Sequence, residues 1–127
     1  MSLETPLHKA QGLGASHSGV GHFWRQRITA VALIPLSIWF AISVLGLVGG
    51  GIVPVLIFFQ NPDNAVLMGA FVLISLYHMT LGIQEAILDY VPQQGFKFIL
   101  MLVNYGFAFA VGAICVFSLL RVITTGT

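Results

Sequence analysis

Hydrophobic positions in this 127-residue sequence are gathered into three long runs. They cover about residues 28–48, 65–88 and 98–122, and each is close to the roughly 20 residues that cross a bilayer core as a helix. The runs lack the alternation of a membrane barrel strand, and backbone groups in lipid must be satisfied within the segment. The pattern therefore predicts an all-α transmembrane protein with three spanning helices.

The predicted spans are joined by two different connections. The first contains glycines 49–51, the apolar stretch 52–59, which Pro54 interrupts and which is too short to span, and the turn-forming residues 60–64. Two interpretations of stretch 52–59 stand: a segment at the membrane interface or against a partner, and an apolar connecting loop. The second connection, 91–95, is so short that the second and third helices are expected to be antiparallel neighbours.

Composition supports a membrane location. The chain is 57% hydrophobic and 7% charged, whereas roughly a quarter of the residues in a soluble domain are charged. Lipid is therefore expected to cover much of the surface, and no nucleic-acid partner is expected. The single cysteine, Cys115, lies in the third run and is interpreted as a packing residue.

Basic residues predict the orientation of the spans. Lys9, Arg25 and Arg27 precede the first span and Lys97 lies between the second and third, whereas only Arg121 marks the far end of the third. Positive residues favour the cytoplasmic side, so we expect an up-down-up bundle whose N-terminus is cytoplasmic or matrix-side.

The polar segment 1–27 is predicted to lie on the cytoplasmic side, ahead of a membrane domain at 28–127. It resembles neither a secretory signal nor a basic transit peptide. The bacterial plasma membrane is the simplest location, and the mitochondrial inner membrane is the alternative.

Polar residues within the second span form one stripe. His78, Gly82, Glu85 and Asp89 are separated by nearly whole numbers of helical turns, so they share a helix face. Because an ionisable side chain inside a span is costly, such a stripe is expected to face a partner, cavity or cofactor rather than lipid.

His78 lies near the middle of its span and has two interpretations. It can be an axial ligand to haem iron, with Gly82 leaving room for the macrocycle, or it can hydrogen-bond a neighbouring helix. The other histidines, His8, His17 and His22, precede the first span at the wrong depth for a second axial ligand. A haem held by His78 therefore predicts a second ligand from another chain.

Residues at the predicted cytoplasmic boundary also have two interpretations each. Asp89 lies about 16 Å from His78 along the helix. Together with Tyr90 it suits a quinone head group, or the two form an ordinary helix end. Arg25 and Arg27 are positive flanks or counter-ions for haem propionates, and Arg27 is the better placed for the second role.

Two stretches of this sequence resemble a known family over essentially the whole chain. They are His22-Phe-Trp-Arg-Gln-Arg-Ile-Thr-Ala30, before a three-span layout, and the pattern His78, Gly82, Asp89-Tyr90-Val91. Together they resemble the small hydrophobic membrane anchor of succinate dehydrogenase (the D-type cytochrome b556 anchor), in a bacterial version.

The resemblance implies a partner set and residue roles. Such anchors pair with a second anchor subunit in the lipid bilayer and hold an iron–sulfur subunit and a flavoprotein subunit, so that electrons pass from succinate to ubiquinone in respiration and the tricarboxylic acid cycle. His78 would be one axial ligand of a shared haem b, and the partner anchor would supply the other histidine. Tyr90 would bind a ubiquinone carbonyl, Asp89 would support it, and Arg27 would meet a haem propionate. Glu85 receives no role.

The chain has no residue set for removing hydride from succinate, so it is expected to be non-catalytic alone. Two other function classes stand beside the haem-bearing anchor. One is a haem-free scaffold or transporter accessory subunit, which predicts no haem absorption in the purified protein. The other is a fumarate reductase anchor, which would share the architecture and run the reverse reaction with menaquinone.

Overall fold

The computed structural model describes residues 6–7 and 17–126, and nearly all of the longer range is helical. His8 and Lys9, which entered the predictions of haem ligation and orientation, lie outside the described residues.

Within residues 17–126, four helices follow one another. They are α1 (His17–Leu47), α2 (Ile52–Gln60), α3 (Pro62–Tyr90) and α4 (Gln94–Thr125). Helices α1, α3 and α4 contain 31, 29 and 32 residues, and each is long and apolar enough to cross a membrane. The prediction of an all-α chain with three candidate spans is therefore confirmed, while the orientation across the membrane stays a prediction.

Helix α1 begins at His17, eleven residues before the apolar run that starts at Ile28. The polar residues in between continue the same helix, in which interior backbone groups are hydrogen-bonded within the helix. As a result, this polar stretch and the first predicted span form one continuous helix, α1.

Helix α3 is the central element and runs antiparallel to both neighbours. Early residues of α1 meet late residues of α3, as where Thr29 contacts His78, and the ring centroids of Phe40 and Phe71 are 4.7 Å apart nearer the other end. On its other side, the Asn104 amide of α4 donates to the Thr80 carbonyl of α3 at 3.1 Å. The prediction that the second and third spans are antiparallel neighbours is therefore confirmed.

The apolar stretch 52–59 lies within α2, which packs on this chain's own helices. The rings of Trp39 in α1 and Phe58 in α2 stack with centroids 6.1 Å apart, and the Asn64 amide donates to the Phe58 carbonyl at 3.0 Å. The stretch is therefore a helix rather than a loop, and its backbone groups are paired within the segment. Its place at the membrane interface or against a partner stays a prediction.

Two tight connections position α2 and the start of α3. Gly49 and Gly51 have φ angles of 86° and 72°, a left-handed conformation that favours glycine. The Asn61 side chain accepts from the Asp63 amide at 2.9 Å, and Pro62 occupies the first turn, where its missing N–H costs no helical hydrogen bond. Because of these local signals, α3 begins only two residues after the last residue of α2.

Close approach of α3 and α4 at Gly112 gives a stability prediction. A β-carbon added at the buried Gly112 would lie 3.4 Å from Leu76 Cδ1 and 3.5 Å from Leu73 Cδ2, so Gly112→Leu is expected to push the helices apart. We expect a loss of about 1–3 kcal/mol in the free energy of unfolding, measured by titration with SDS in mixed micelles. Gly106→Leu is the matched control because its added β-carbon would meet open space rather than another helix. Equal destabilisation by the two variants would contradict the packing explanation.

Candidate functional site

A row of polar side chains lies between α1 and α3 and is called here the α1–α3 seam. It starts at the end of α3 nearest Tyr90 and extends toward the middle of the bundle. Its members on α1 are His22, Gln26 and Thr29, and its members on α3 are Glu85, Gly82 and His78. The predicted stripe on α3 therefore faces another helix over these three positions.

His78 is anchored to α1 through one ring nitrogen. Its Nδ1 lies 2.8 Å from Thr29 Oγ1, and that hydroxyl also lies 2.8 Å from the Arg25 carbonyl and 3.0 Å from the Gln26 carbonyl. The imidazole is half-buried. This contact fixes the depth of His78 relative to α1.

The other nitrogen, His78 Nε2, makes no hydrogen bond with any described residue. The enclosed side-chain atoms without partners in this part of the chain are His22 Nε2, Gln26 Oε1 and Asn104 Oδ1, and His78 Nε2 is not among them. It is therefore accessible from outside the three-helix bundle. An accessible imidazole nitrogen without a hydrogen-bond partner can act as a ligand to a metal bound beside the bundle.

His22 and Glu85 form the outer end of the seam. His22 Nδ1 lies 2.7 Å from Glu85 Oε1, with 15% of the His22 side chain and 50% of the Glu85 side chain exposed. A cavity of about 280 Å³ opens beside the pair. It is lined by Gly19, His22, Arg25, Gln84, Glu85 and Leu88. Glu85, which received no role from the sequence, therefore holds α1 against α3 at this end.

Gly82 lies between these two contacts. A β-carbon added there would lie 3.5 Å from Gln26 Nε2, so the space beside Gly82 is occupied by the Gln26 carboxamide. The role of Gly82 in leaving room for a haem stays a prediction.

The two arginines of α1 point to different places. The Arg27 guanidinium lies 5.0 Å from the centroid of the Phe23 ring, a cation–π contact. Arg25 instead donates from Nε to the Gly21 carbonyl at 3.2 Å and lines the cavity beside Glu85. The structure therefore places Arg25 beside the cavity at the outer end of the seam. The assignment of Arg27 to a haem propionate stays a prediction.

Asp89 and Tyr90 end α3 on an open surface. Both are exposed, Tyr90 to 84%, and within the described part of the chain neither the phenol nor the carboxylate is held by a hydrogen bond. Lys97 Nζ donates to the Leu88 carbonyl at 3.5 Å, which brings a positive charge to the same helix end. A phenol and a carboxylate free to exchange hydrogen bonds with a ligand are thus adjacent in sequence at this end.

The described residues do not form a complete metal site by themselves. They contain no group of three or more His, Cys, Asp or Glu side chains that could hold a metal ion. His22 contacts Glu85, which is seven residues from His78 along α3 and therefore roughly 10 Å away. The supply of a second axial ligand to a haem by another chain stays a prediction.

The α1 half of the seam was not predicted from the sequence. His22, Gln26 and Thr29 have spacings of four and three residues, which is the signal of a single helix face. That signal lies largely ahead of the apolar run, in a stretch interpreted as a polar terminal segment, so it was not connected with α3.

The family model and the known proteins that match this chain have similar descriptions. A family model described as succinate dehydrogenase/fumarate reductase transmembrane subunit matches residues 1–120. The chain is 33% identical over 121 residues to a succinate dehydrogenase hydrophobic membrane anchor subunit of Paracoccus denitrificans, covering 95% of this chain and 93% of that protein. Subunits with the same description from Rickettsia bellii (34% over 83 residues, 65% of this chain and 66% of the relative) and Rickettsia typhi (32% over 89 residues, 70% and 71%) are also similar. No solved structure matches the chain significantly.

Proposed function

The chain belongs to the succinate dehydrogenase/fumarate reductase transmembrane subunit family, and from its similarity to succinate dehydrogenase membrane anchors we propose that it helps to hold a haem b and a ubiquinone. The anchor role itself follows from the family and from three helices able to span the membrane. The observation that carries the haem part of the proposal is the free, accessible Nε2 of His78.

The residues around His78 fit an axial ligand of haem iron. Its Nδ1 is engaged by Thr29, and its Nε2 is accessible at the surface of the bundle, where a second anchor subunit would pack. We assign the opposite axial histidine to that partner. A bound haem b would supply reversible one-electron chemistry, and the apolar helices around His78 would set the dielectric of its surroundings.

Asp89 and Tyr90 are assigned to ubiquinone. The exposed Tyr90 hydroxyl would donate a hydrogen bond to a quinone carbonyl, and the Asp89 carboxylate would hold or pass on a proton at the water boundary. Their place at the end of a membrane-spanning helix suits a substrate whose head group is polar and whose tail lies in lipid.

An anchor subunit works together with other subunits of its complex. We assign the end of the bundle that contains Asp89, Tyr90 and Lys97 to the cytoplasmic side. The iron–sulfur and flavoprotein subunits would dock at this end. The bacterial relatives favour the bacterial plasma membrane as the location.

The test is a dithionite-reduced minus oxidised spectrum of the complex purified from its native membrane. A b-type band, together with electron transfer from succinate to ubiquinone, is the expected result. Absence of haem from an intact complex would favour a haem-free anchor or scaffold. Faster fumarate reduction by menaquinol than succinate oxidation by ubiquinone would favour the fumarate reductase anchor, which the family description also covers.

A further inference from the structure

We propose that Thr29 is a positioning residue that keeps His78 protonated on Nδ1 and so presents the lone pair of Nε2 to the haem. The inference rests on the proposed function, because it concerns how this chain's own residues prepare an iron ligand. It gives the α1 half of the seam a role that was not predicted from the sequence.

The direction of the hydrogen bond follows from the three contacts of one hydroxyl. Thr29 Oγ1 has a single hydrogen and lies 2.8 Å from the Arg25 carbonyl, 3.0 Å from the Gln26 carbonyl and 2.8 Å from His78 Nδ1. Carbonyl oxygens can only accept, so a hydrogen directed at them leaves the Thr29 oxygen to accept from Nδ1–H. The reverse arrangement would leave two close oxygen–oxygen contacts with no hydrogen between them.

The tautomer of a neutral imidazole is then determined. With the proton on Nδ1, Nε2 is unprotonated and carries the lone pair that binds a metal. This nitrogen has no partner among the described residues and is accessible from outside the bundle. The opposite tautomer would direct an N–H outward and could not ligate iron without a proton rearrangement.

Thr29 is itself held in place. A threonine in a helix has few side-chain conformations, and here its hydroxyl bonds back to the preceding turn of α1. Contact between Phe40 and Phe71 further along the same helices resists sliding of α1 past α3. The plane and depth of the His78 ring therefore depend on the packing of α1.

A hydrogen bond from Nδ1–H makes the imidazole a stronger electron donor to bound iron. Electron donation favours the oxidised metal, so removing the acceptor is expected to raise the haem midpoint potential and to weaken haem retention. Second-shell changes of this kind typically cost about 10-fold or more in metal affinity.

The experiment compares Thr29→Val and Thr29→Ser in the intact purified complex. The measurements are the haem midpoint potential, the EPR spectrum of the oxidised haem and the rate of haem transfer to excess apomyoglobin. Thr29→Val is expected to raise the potential, change the EPR g-values and speed haem loss about tenfold, while Thr29→Ser stays near the parent. Thr124→Val is the matched control, since Thr124 bonds back to the Leu120 carbonyl in the same way but lies far along the chain in α4.

Failure of this inference can be separated from failure of the proposed function. If the parent contains haem and His78→Ala removes its signal, unchanged potential, EPR and haem transfer in Thr29→Val overturn the Thr29 role alone. A parent complex without haem overturns both. A purely structural role would lower the yield of the complex without changing the potential of the haem that it retains.

A second measurement applies even if Thr29→Val does not assemble. Solid-state NMR of the full-length chain in lipid bilayers, labelled with ¹⁵N-histidine, reports which nitrogen of His78 carries the proton. A protonated Nδ1 is expected, and an unprotonated Nδ1 in neutral His78 overturns the inference.

Discussion

His78→Ala is expected to remove or shift the b-type haem band of the purified complex while the subunits remain assembled. The substitution deletes the only imidazole nitrogen along α3 that is free to bind iron, since α3 contains no other histidine. Iron with one axial ligand left would be five-coordinate, which changes its spin state and its Soret absorption. The measurement is a reduced minus oxidised spectrum normalised to the amount of complex, with haem extracted and counted separately.

Met79→Ala is the matched control for this variant. Met79 is adjacent in sequence and has a side chain of similar size, but it points about 100° away from His78 around the helix. A haem spectrum that is unchanged in His78→Ala, or equally reduced by both variants, would contradict axial ligation by His78.

Tyr90→Phe is expected to lower ubiquinone reduction by succinate about tenfold or more, while succinate oxidation by an artificial acceptor stays largely intact. Loss of one hydrogen bond to a bound group corresponds to roughly 1.5 kcal/mol, which is about a factor of ten in rate. The effect on folding should be small, because Tyr90 is 84% exposed and its hydroxyl has no partner among the described residues. The two activities are measured on the same assembled preparation.

Tyr77→Phe supplies the comparison for the quinone variant. Tyr77 is also exposed and lies on α3, but it is thirteen residues away from the helix end that we assign to quinone. Equal loss of both activities in Tyr90→Phe, or equal loss of quinone reduction in Tyr77→Phe, would count against a specific role of the Tyr90 hydroxyl.

The helices of this fold were predictable because their signals are local. The apolar runs alone predicted α1, α3 and α4, since bilayer thickness sets the number of residues a span requires. The short connection 91–95 predicted that α3 and α4 are antiparallel. The segment 52–59 could not be assigned from its own residues, because a short apolar stretch with a proline is compatible with a loop or a helix. Packing against Trp39 and Asn64 favours the helix.

The candidate site was predictable only in its α3 half. Periodicity placed His78, Gly82 and Glu85 on one face, and the structure shows what that face meets. The roles of the arginines could not be read from the same pattern, because Arg25 and Arg27 are close in sequence but lie on different faces of α1. Arg25 lines the cavity beside Glu85, whereas Arg27 contacts Phe23.

The sequence by itself determined that this chain has three helices long and apolar enough to span a membrane and that polar groups lie on one stripe of the central helix. These properties depend on the hydrophobicity and spacing of residues close together in the chain. Only the tertiary structure decided that Thr29 meets His78 and that His22 meets Glu85, across separations of 49 and 63 residues. Such pairings depend on the register and rotation of α1 against α3, which are set by the packing of whole helices and by the path of the chain through α2.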